Sequence, residues 1–593
     1  MMRNRFLSLL LIVAMSAGIG LFVTACNGEA PPPQTFTVRF SYAQTNITID
    51  DAPIDVTRTV AAGGTLRAAD IPDGLVVDDY IFLGWFAPNS TAAFTPSTVI
   101  NANITLYAIY EEDEFYDSDA GYFRVTSARR LAAMANNLDG SFKLTANLTL
   151  AGWTPVGTPD APFTGELFAD LGEDGEPEFS ITSLTISETV LCGDSYFAAL
   201  IGYNGGTLRN IVIQNLDIDV SVDTPDTLVF AGGLAGDSSG IITNSRVFGK
   251  VVVESIEGIR AGMAAGRVIG TDAIIEYSVA ESGFVKTIGD SGDVANRAGG
   301  LVGTVENGAT VSRSSAHVDV TAFTSGGLNT SAAGLAGHTL GGAFITQSFA
   351  TGDILAESLG GGTVYAAGLS GNTSAQPSIP AGQDATAISW VFEFVETFAT
   401  GKAIARTVGN AYASGLIARI DNSSEDDFIV GAVNVLIKDS YSTGSSAIER
   451  NIAESSVTAP VNPNNVIGAL VGRIQSVTGS VITIENSFVF GDVTNTETTG
   501  NNNWTGYIVG RSQNNGTRHI INSWAYEGMD VTSGRDIGIH FIPHDPQPPN
   551  LREITAIGES SLVSAAWQIN NLDWDDNVWA FNDGVFPTFA WSA

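Results

Sequence analysis

The sequence predicts an all-β protein, most of it a right-handed parallel β-helix, or solenoid, with a cap at each end. Three observations support this prediction. A short two-part sequence motif, called here the phrase, recurs from about residue 198 to residue 531. A motif that recurs every roughly 20 to 50 residues is typical of a solenoid. The chain has 65 glycines among many valines, isoleucines and threonines, a composition that favours short strands and tight turns. The best helical periodicity is confined to residues 126–138.

The first half of the phrase reads Gly-Leu-x-Gly after small residues, as in 298–303 and 332–337. With its second glycine as the anchor, successive copies lie 30 to 54 residues apart, and three of the eight spacings are 34. A weakened copy ends on Ala418, and insertions follow two of the copies. The anchor glycines are Gly202, Gly236, Gly266, Gly303, Gly337, Gly371, Gly472 and Gly510.

The second half of the phrase reads Asn-Ser-x-x-x-Gly or close to it, as in Asn244-Ser245 to Gly249. We expect the repeat to act through conformation: glycine allows a positive φ or a close approach of backbones, and asparagine before serine suits a bend. The leucine is expected to point inward and stack on its counterpart. Whether one repeat makes one rung or more stays open. The array resembles the GLUG motif of bacterial surface proteins, over more than half of the chain.

The charge of the chain is lopsided, with 63 acidic against 27 basic side chains and a net charge of −36. Such a surface repels phosphate backbones, so no nucleic-acid partner is expected. Calcium binding by some carboxylates is an open alternative to a role in solubility alone. Two cysteines exclude a disulfide framework. Cys192 lies in an apolar run and is predicted to be buried. Cys26 follows the apolar N-terminal run and is interpreted together with it.

Residues 1–25 have the organisation of a secretory signal peptide. Arg3 and Arg5 precede an apolar run that ends in Val23-Thr-Ala-Cys26. This ending resembles the lipobox of bacterial lipoproteins, which implies that Cys26 is lipidated and becomes the mature N-terminus. We therefore expect a membrane anchor made of lipid on the extracellular face of the cell, with residues 26–34 as a tether. An uncleaved membrane-spanning anchor is the alternative.

Residues 35–110 alternate strand-like runs with turns. The order Val-x-Phe, Gly-Gly-Thr, Gly-Trp-Phe, Phe-Thr-Pro and Leu-Tyr-Ala resembles one Listeria–Bacteroides repeat, also called the internalin B-repeat. The resemblance implies a small β-grasp-like module that serves as a spacer or an interaction surface. Trp85, Phe86 and Tyr107 are expected in its core. Residues 111–119 carry six acidic side chains and are predicted to be a linker.

The array itself, residues 198–559, is expected to be capped on both sides. Residues 120–197 resemble the segment that precedes GLUG repeats, and a cap there would cover the unpaired strands of the first rung. Residues 560–593 contain Trp567, Trp574, Trp579 and Trp591. We expect this tryptophan-rich segment to seal the last rung. An exposed aromatic patch that binds sugars is the alternative.

No catalytic, cofactor-binding or metal-binding residues are predicted. The five histidines form no His-Glu-x-x-His pattern, and no nucleophile elbow or phosphate loop occurs. Asp353 and Asp492 occupy equivalent turns of the repeat, which indicates geometry rather than acid–base chemistry. We therefore predict that the protein is not an enzyme, has no cofactor, and is a cell-surface adhesin or envelope interaction protein for a protein or glycan ligand. The alternatives are a polysaccharide lyase or hydrolase and a passive structural component. The insertions after Gly371 and Ala418 are the predicted ligand site.

Overall fold

A computed structural model describes residues 34–42, 54–75, 80–88, 90, 92–112, 116–117, 121–290, 294–375, 389–421, 432–450, 463–496, 503–513, 516–533 and 555–591. The predicted signal peptide and Cys26 lie outside the described residues, as do most of the tether, His540 and His544. The predicted fold class is confirmed, because the strands form large parallel sheets with the layout of a β-helix, preceded by a small separate sheet.

The N-terminal module is a four-stranded mixed sheet. Its strands run in the order β2-β1-β4-β3, with β1 parallel to β4 and the outer pairs antiparallel. Trp85 is 2% exposed and packs edge-on against Phe40 and Tyr42, so it belongs to the core. The elements are β1 (Thr35–Ser41), β2 (Val56–Ala61), a 3-10 turn (Ala68–Asp70), β3 (Tyr80–Phe86) and β4 (Ile104–Glu112).

The module packs on the segment that follows it. Phe86 and Leu83 share a buried cluster with Ala133, and the guanidinium of Arg129 lies 5.0 Å from the ring centroid of Phe86. The first acidic residue of the predicted linker, Glu111, lies in β4 and forms a 3.0 Å ion pair with a buried arginine, Arg130. The module is therefore held against the start of the solenoid by apolar and ionic contacts.

The predicted N-terminal cap contains the expected helix. Helix α1 (Ala128–Ala132) continues as a 3-10 turn (Ala133–Asn136), and the hydroxyl of Ser127 caps it by accepting from the amide of Arg130. The strand-forming run 142–150 is divided in two. The other strands are β5 (Tyr116–Asp117), β6 (Tyr122–Val125), β7 (Ser141–Leu144), β8 (Leu148–Leu150), β9 (Glu166–Ala169), β10 (Ile181–Ile186) and β11 (Val190–Cys192). Since β6 to β10 pair in parallel with the strands that follow, this segment already forms the first turns of the solenoid.

Nine rungs follow within the described residues, and each copy of the phrase makes one rung. The first five comprise β12 (Ser195–Asn204), β13 (Thr207–Arg209), β14 (Val212–Val222); β15 (Leu228–Ser238), β16 (Ile241–Thr243), β17 (Arg246–Ser255); β18 (Ile259–Ala261), β19 (Ala265–Ile269), β20 (Ile274–Glu276), β21 (Val279–Gly289); β22 (Asn296–Gly299), β23 (Val302–Glu306), β24 (Ala309–Ser312), β25 (Ser315–Ala316), β26 (Asp319–Thr324); and β27 (Thr330–Ala333), β28 (Ala336–Leu340), β29 (Ala343–Ala350), β30 (Ile354–Ser358).

The later rungs keep the same order of strands. They comprise β31 (Val364–Ala367), β32 (Ser370–Ser374), β33 (Ser389–Ala399), β34 (Ala403–Thr407); β35 (Ala411–Ser414), β36 (Ile417–Asp421), β37 (Ala432–Lys438), β38 (Tyr441–Ser442), β39 (Ser446–Glu449); β40 (Asn465–Gly468), β41 (Val471–Gln475), β42 (Val481–Glu485), β43 (Phe488–Val489), β44 (Val493–Asn495); and β45 (Asn503–Gly506), β46 (Val509–Gln513), β47 (Thr517–Ile521), β48 (Trp524–Tyr526), β49 (Val531–Ser533).

Each rung begins on one sheet, called here the front sheet, and continues through a second one, the back sheet. Among the described residues the front sheet has 17 strands, from β11 to β46, and the back sheet has 29. The residues before successive anchors pair in register, for example Ala336 with Ser370, and Ser370 with Ile417. Ala418 therefore stands where the other rungs have glycine. The predicted inward leucines, such as Leu335, are fully buried in the main core.

The Asn-Ser half of the phrase forms a bend in the back sheet. The residue before the serine has a positive φ in every rung, for example 46° at Asn244 and 49° at Asn486. The next residue is a buried serine or threonine from the second rung onward: Ser245, Ser278, Ser314, Ser348, Thr397, Ser440, Ser487 and Ser523. We call this column the serine ladder. Its hydroxyls satisfy backbone groups that a bend would otherwise leave without partners.

The C-terminal segment does more than seal the last rung. It adds β50 (Thr555–Ile557) to β48 and then folds back along the side of the solenoid. Phe349, Phe398, Tyr441 and Phe488 stack at 4.4 to 4.8 Å along four rungs, and Trp579 packs on the middle two. The remaining elements are α2 (Glu559–Leu562), α3 (Ala565–Asn571), β51 (Trp579–Ala580) and β52 (Thr588–Phe589). This packing buries Trp574 and Trp579, whereas Trp591 is 36% exposed.

Candidate functional site

The anchor glycines lie where the front sheet folds sharply on itself. A Cβ at Gly303 would lie 2.4 Å from the carbonyl oxygen of Gly266 and 2.5 Å from the amide nitrogen of Ala261. A Cβ at Gly337 would lie 2.7 Å from the carbonyl oxygen of Gly303. None of the eight anchor glycines has a positive φ. Of the two roles expected for glycine, close approach of neighbouring rungs is therefore the one that these positions use.

The fold leaves a crease along the outer side of the front sheet, because side chains that point away from the core on both strands of a rung lean towards each other. Ala332 and Leu335 point into the core, whereas Ser331 and His338 point into the crease. On the first strand the crease is lined by Phe197, Phe230, Arg260, Arg297, Ser331, Tyr365, Tyr412, Val466 and Trp504. On the second it is lined by Tyr203, Asp237, Arg267, Thr304, His338, Asn372, Arg419, Arg473 and Arg511.

The first rungs of the crease hold three arginines and two carboxylates. Arg267 donates two hydrogen bonds to the buried carboxylate of Asp237, at 3.1 and 2.5 Å. A further carboxylate, Glu306, lies 3.7 Å from Arg267 and 3.8 Å from Arg297. Burial raises the pKa of Asp237, although the hydrogen bonds from Arg267 act in the opposite direction. The bidentate pair orients both side chains and partly offsets their loss of solvent.

Two arginines on these rungs have fewer partners than their charge requires. Arg260 is 7% exposed and donates to the carbonyl oxygens of Ile259 and Ala295, at 3.1 and 2.8 Å. Burial lowers its pKa well below the ordinary value, and the charge of Arg297 acts in the same direction. Within the described part of the chain, Nε and Nη1 of Arg297 have no hydrogen-bond partner. A buried guanidinium in this condition costs stability.

The middle of the crease is neutral and polar. Nε2 of His338 lies 2.8 Å from the hydroxyl of Ser374 and 3.5 Å from the side-chain amide of Asn372. Burial, together with three nearby arginine charges, lowers the pKa of His338 well below its usual range. The ring is therefore uncharged at neutral pH, and this part of the crease offers hydrogen bonds rather than charge.

The last three rungs carry a column of arginines. Arg419 pairs in register with Arg473, and Arg473 with Arg511. Arg419 donates to the hydroxyl of Tyr365 at 2.9 Å, and Arg473 donates to that of Tyr412 at 2.7 Å. We call the three residues the arginine ladder. Both buried members lie against tyrosine rings, so aromatic faces replace part of the water that the cations lose.

The outer end of the arginine ladder is more open. Arg511 is half-buried, and its guanidinium lies 4.4 Å from the ring centroid of Trp504. Burial and the neighbouring charge of Arg473 lower the pKa of Arg511 to about 10. The six crease arginines face three carboxylates there, Asp237, Glu306 and Asp421. The crease therefore holds excess positive charge in a chain whose net charge is −36.

Three other residues named from the sequence make hydrogen bonds between neighbouring rungs. The carboxylate of Asp353 accepts the backbone amide of Lys402 at 2.8 Å, and that of Asp492 accepts the amide of Asp530 at 2.8 Å. Each thus ties a turn to the next rung. Nδ1 of His317 contacts the hydroxyl of Thr351 at 3.0 Å. Cys192 was predicted to be buried but is half-exposed, because it lies in the antiparallel edge pair β11–β12.

The crease arginines are not among the residues predicted from the sequence. A signal for them exists: when the anchors are aligned, the position directly after the anchor is arginine in four rungs, Arg267, Arg419, Arg473 and Arg511. The predicted ligand site, the insertions after Gly371 and Ala418, falls mostly on residues 376–388 and 422–431, outside the described residues. These insertions follow β32 and β36, which carry Asn372 and Arg419 of the crease.

No three or more His, Cys, Asp or Glu side chains among the described residues are grouped so that they could hold a metal ion. Across the same residues, no helix has the length and apolar character needed to cross a bilayer.

Comparison with known proteins shows distant likenesses only. No family model and no curated protein matches the chain. A crystal structure from Bacteroides ovatus, described as a proposed immunoglobulin A1 protease, is 15% identical and covers 80% of this chain and 94% of its own, with a TM-score of 0.28. A second structure, described as an IgA1 protease, is also 15% identical, with a TM-score of 0.25; the match covers 61% of this chain but 22% of that one.

The prediction that the chain is not an enzyme is contradicted by this finding, since both structures are described as proteases. That prediction rested on missing catalytic motifs and on carboxylates that recur at equivalent turns, and neither observation excludes a catalytic site. At TM-scores of 0.28 and 0.25 the likeness assigns no activity to this chain. What the chain itself shows is a parallel β-helix of repeated rungs. The resemblance to GLUG and Listeria–Bacteroides repeats stays a prediction.

Proposed function

We propose that this protein is a lipid-anchored bacterial cell-surface protein that binds a protein or glycan ligand through its β-helix, as an adhesin or an envelope interaction protein. The observation that carries the proposal is the crease. It gathers six of the chain's 27 basic residues on one side of the solenoid, against a net charge of −36. The excess positive charge is concentrated at the last three rungs, and a local charge opposite to that of the chain as a whole suits recognition of a ligand.

The anchor is proposed from the sequence. The apolar run followed by Val23-Thr-Ala-Cys26 supports cleavage and lipidation at Cys26, and residues 26–34 would connect the lipid to the N-terminal module. That module packs on the first turns of the solenoid through Phe86 and Arg129. It would therefore hold the start of the solenoid at a set distance from the membrane.

Lipidation is tested with the full-length chain expressed in a bacterium that processes lipoproteins. We expect Cys26→Ser to move the protein from the membrane fraction to the soluble fraction. The matched control, Cys192→Ser, changes a half-exposed cysteine of the solenoid edge and should stay with the membrane. A Cys26→Ser protein that remains in the membrane fraction contradicts the lipid anchor.

Ligand binding is tested by applying the mature wild-type protein to glycan arrays and to immobilised extracellular proteins. We expect saturable binding to at least one class, weakened by Arg297→Gln in the crease and unchanged by Arg406→Gln, whose side chain pairs with Glu357 and Glu449 on the back sheet. Failure of a folded wild-type protein to bind on any array contradicts the proposal and leaves the passive structural role.

A further inference from the structure

We infer that the arginine ladder, Arg419, Arg473 and Arg511, is the binding site for the carboxylate or sulfate groups of a linear acidic glycan. This inference rests on the proposed function and names the ligand class of the crease. The glycan would lie along the solenoid axis, across the last three rungs, and enter at the half-exposed end formed by Arg511 and Gln513.

The first argument is the stacking of like charges. The three arginines occupy the same register position on consecutive rungs, and neighbouring strands are about 4.8 Å apart. Like charges opposite each other in a sheet destabilise it. A repeat scaffold could place any residue here, as it places Thr304 and Asn372 in other rungs. A costly arrangement kept on three rungs in succession points to a task outside folding.

The second argument concerns the partners of these cations. Arg419 has a carboxylate, Asp421, but among the described residues Arg473 and Arg511 form no ion pair. Arg473 donates to the Tyr412 hydroxyl and to the side-chain oxygen of Gln513, and its Nε has no hydrogen-bond partner within the described chain. By contrast, Arg267 in the same crease is neutralised by Asp237, to which it donates two hydrogen bonds.

The third argument separates a glycan from other polyanions. Gln475 and Gln513 are half-buried, and their side-chain oxygens accept hydrogen bonds from Arg419 and Arg473. Neutral hydrogen-bonding groups therefore alternate with the charges, as sugar hydroxyls require. Trp504 adds a half-buried aromatic face, and its Nε1 has no partner among the described residues.

The test uses the mature chain and measures its affinity for heparin, for polygalacturonate, for neutral dextran and for poly-glutamate. We expect binding to heparin or polygalacturonate, with the two probes separating sulfate from carboxylate recognition. Arg511→Gln should weaken that binding about tenfold, the effect of one lost charged hydrogen bond. Arg511→Lys should recover part of it, and the back-sheet control Arg406→Gln should bind as the wild type does.

Several outcomes would overturn the inference: no wild-type binding to either acidic glycan, equal affinity for Arg511→Gln and wild type, equal losses in Arg511→Gln and Arg406→Gln, or binding to poly-glutamate alone. Thermal unfolding checks that the variants fold. Gln513→Glu, which places a carboxylate beside Arg473, serves if Arg511→Gln does not fold, and it should cause a comparable loss. If the protein binds a neutral glycan or a protein but neither acidic glycan, the proposed function stands and this inference is wrong.

Discussion

The serine ladder and the crease belong to the same rungs, but they follow opposite rules. In the serine ladder one small hydroxyl recurs from Ser245 to Ser523, with a single threonine. In the crease the residue after the anchor changes from rung to rung, and includes Thr304, His338 and Arg419. Repetition along nearly the whole solenoid therefore marks the positions that the backbone requires, and a position that varies between rungs is one that the backbone leaves free.

Hydrogen bonding explains the difference. The hydroxyl of Ser314 donates to the carbonyl oxygen of Ser312 at 2.8 Å and accepts the amide of Ser278 from the preceding rung at 3.1 Å. The bend needs both bonds, because it leaves these backbone groups buried. In the crease, the guanidinium of Arg473 donates to side chains. The strand that carries Arg473 pairs with its neighbours through backbone groups. Removing the guanidinium leaves no backbone group without a partner.

A substitution that prevents the close approach of neighbouring rungs at the crease should have the largest effect on stability. We expect Gly303→Val to destabilise the protein by about 3 kcal/mol or more, because every atom nearest to the new Cβ belongs to backbone and cannot move aside. Gly327→Ala is the matched control, since its Cβ meets one atom at 3.7 Å, and it should change stability by no more than about 0.5 kcal/mol. Urea unfolding monitored by circular dichroism measures both. Equal stabilities would show that the rungs can separate at the crease.

Ser314→Ala tests the bend. It should cost about 1 to 3 kcal/mol, because it leaves the buried amide of Ser278 without an acceptor. Ser314→Thr should retain most of the stability, since Thr397 occupies the same column with its hydroxyl 3.1 Å from that of Ser440. The exposed Ser282 is the control site for alanine. If the threonine variant loses as much as the alanine variant, the hydroxyl is not the group that matters.

Asp439 is one of the five bend residues, among the nine described rungs, that are not asparagine. Burial raises the pKa of Asp439 from 3.8 to about 6, with Glu396 and Glu485 acting in the same direction. Because the folded state holds the proton more tightly, this carboxyl contributes stability at acid pH that is lost as the pH rises from about 4 to about 6. Asp439→Asn should remove that loss from the profile of melting temperature against pH, and Asn486→Asp should introduce one. A profile unchanged in Asp439→Asn would contradict this.

Arg473→Met should have the smallest effect on stability. Replacing a buried cation and its polar contacts with an apolar side chain of similar length is often neutral or stabilising, and we expect a change within about 1 kcal/mol. The same variant should lose affinity for the acidic glycan. Urea unfolding and glycan binding, measured on one preparation, separate the two effects. A loss of several kcal/mol would place the arginine ladder with the serine ladder, as a structural device.

Part of the fold could be predicted because it depends on neighbours in sequence. The Asn-Ser bend and the helix that begins after Ser127 are local, and the sequence predicts both, the bend from residue chemistry and the helix from its periodicity. The position of Ala418 followed from counting, since rungs must stay in register. The course of the C-terminal segment did not follow, because Trp579 meets Phe398 and Tyr441 across more than a hundred residues. Composition shows that these rings need burial but not which surface buries them.

The sequence by itself determined the solenoid, the spacing of its repeats and the places where glycine and serine recur, because a repeated backbone conformation selects a repeated residue. Only the tertiary structure decided that each repeat is one rung and that the anchor glycines bring the front strands together from outside. It also decided that arginines such as Arg419 and Arg473, 54 residues apart, stand next to each other. The physical reason is that insertions of different length hide the register in sequence, and pairing of the strands restores it.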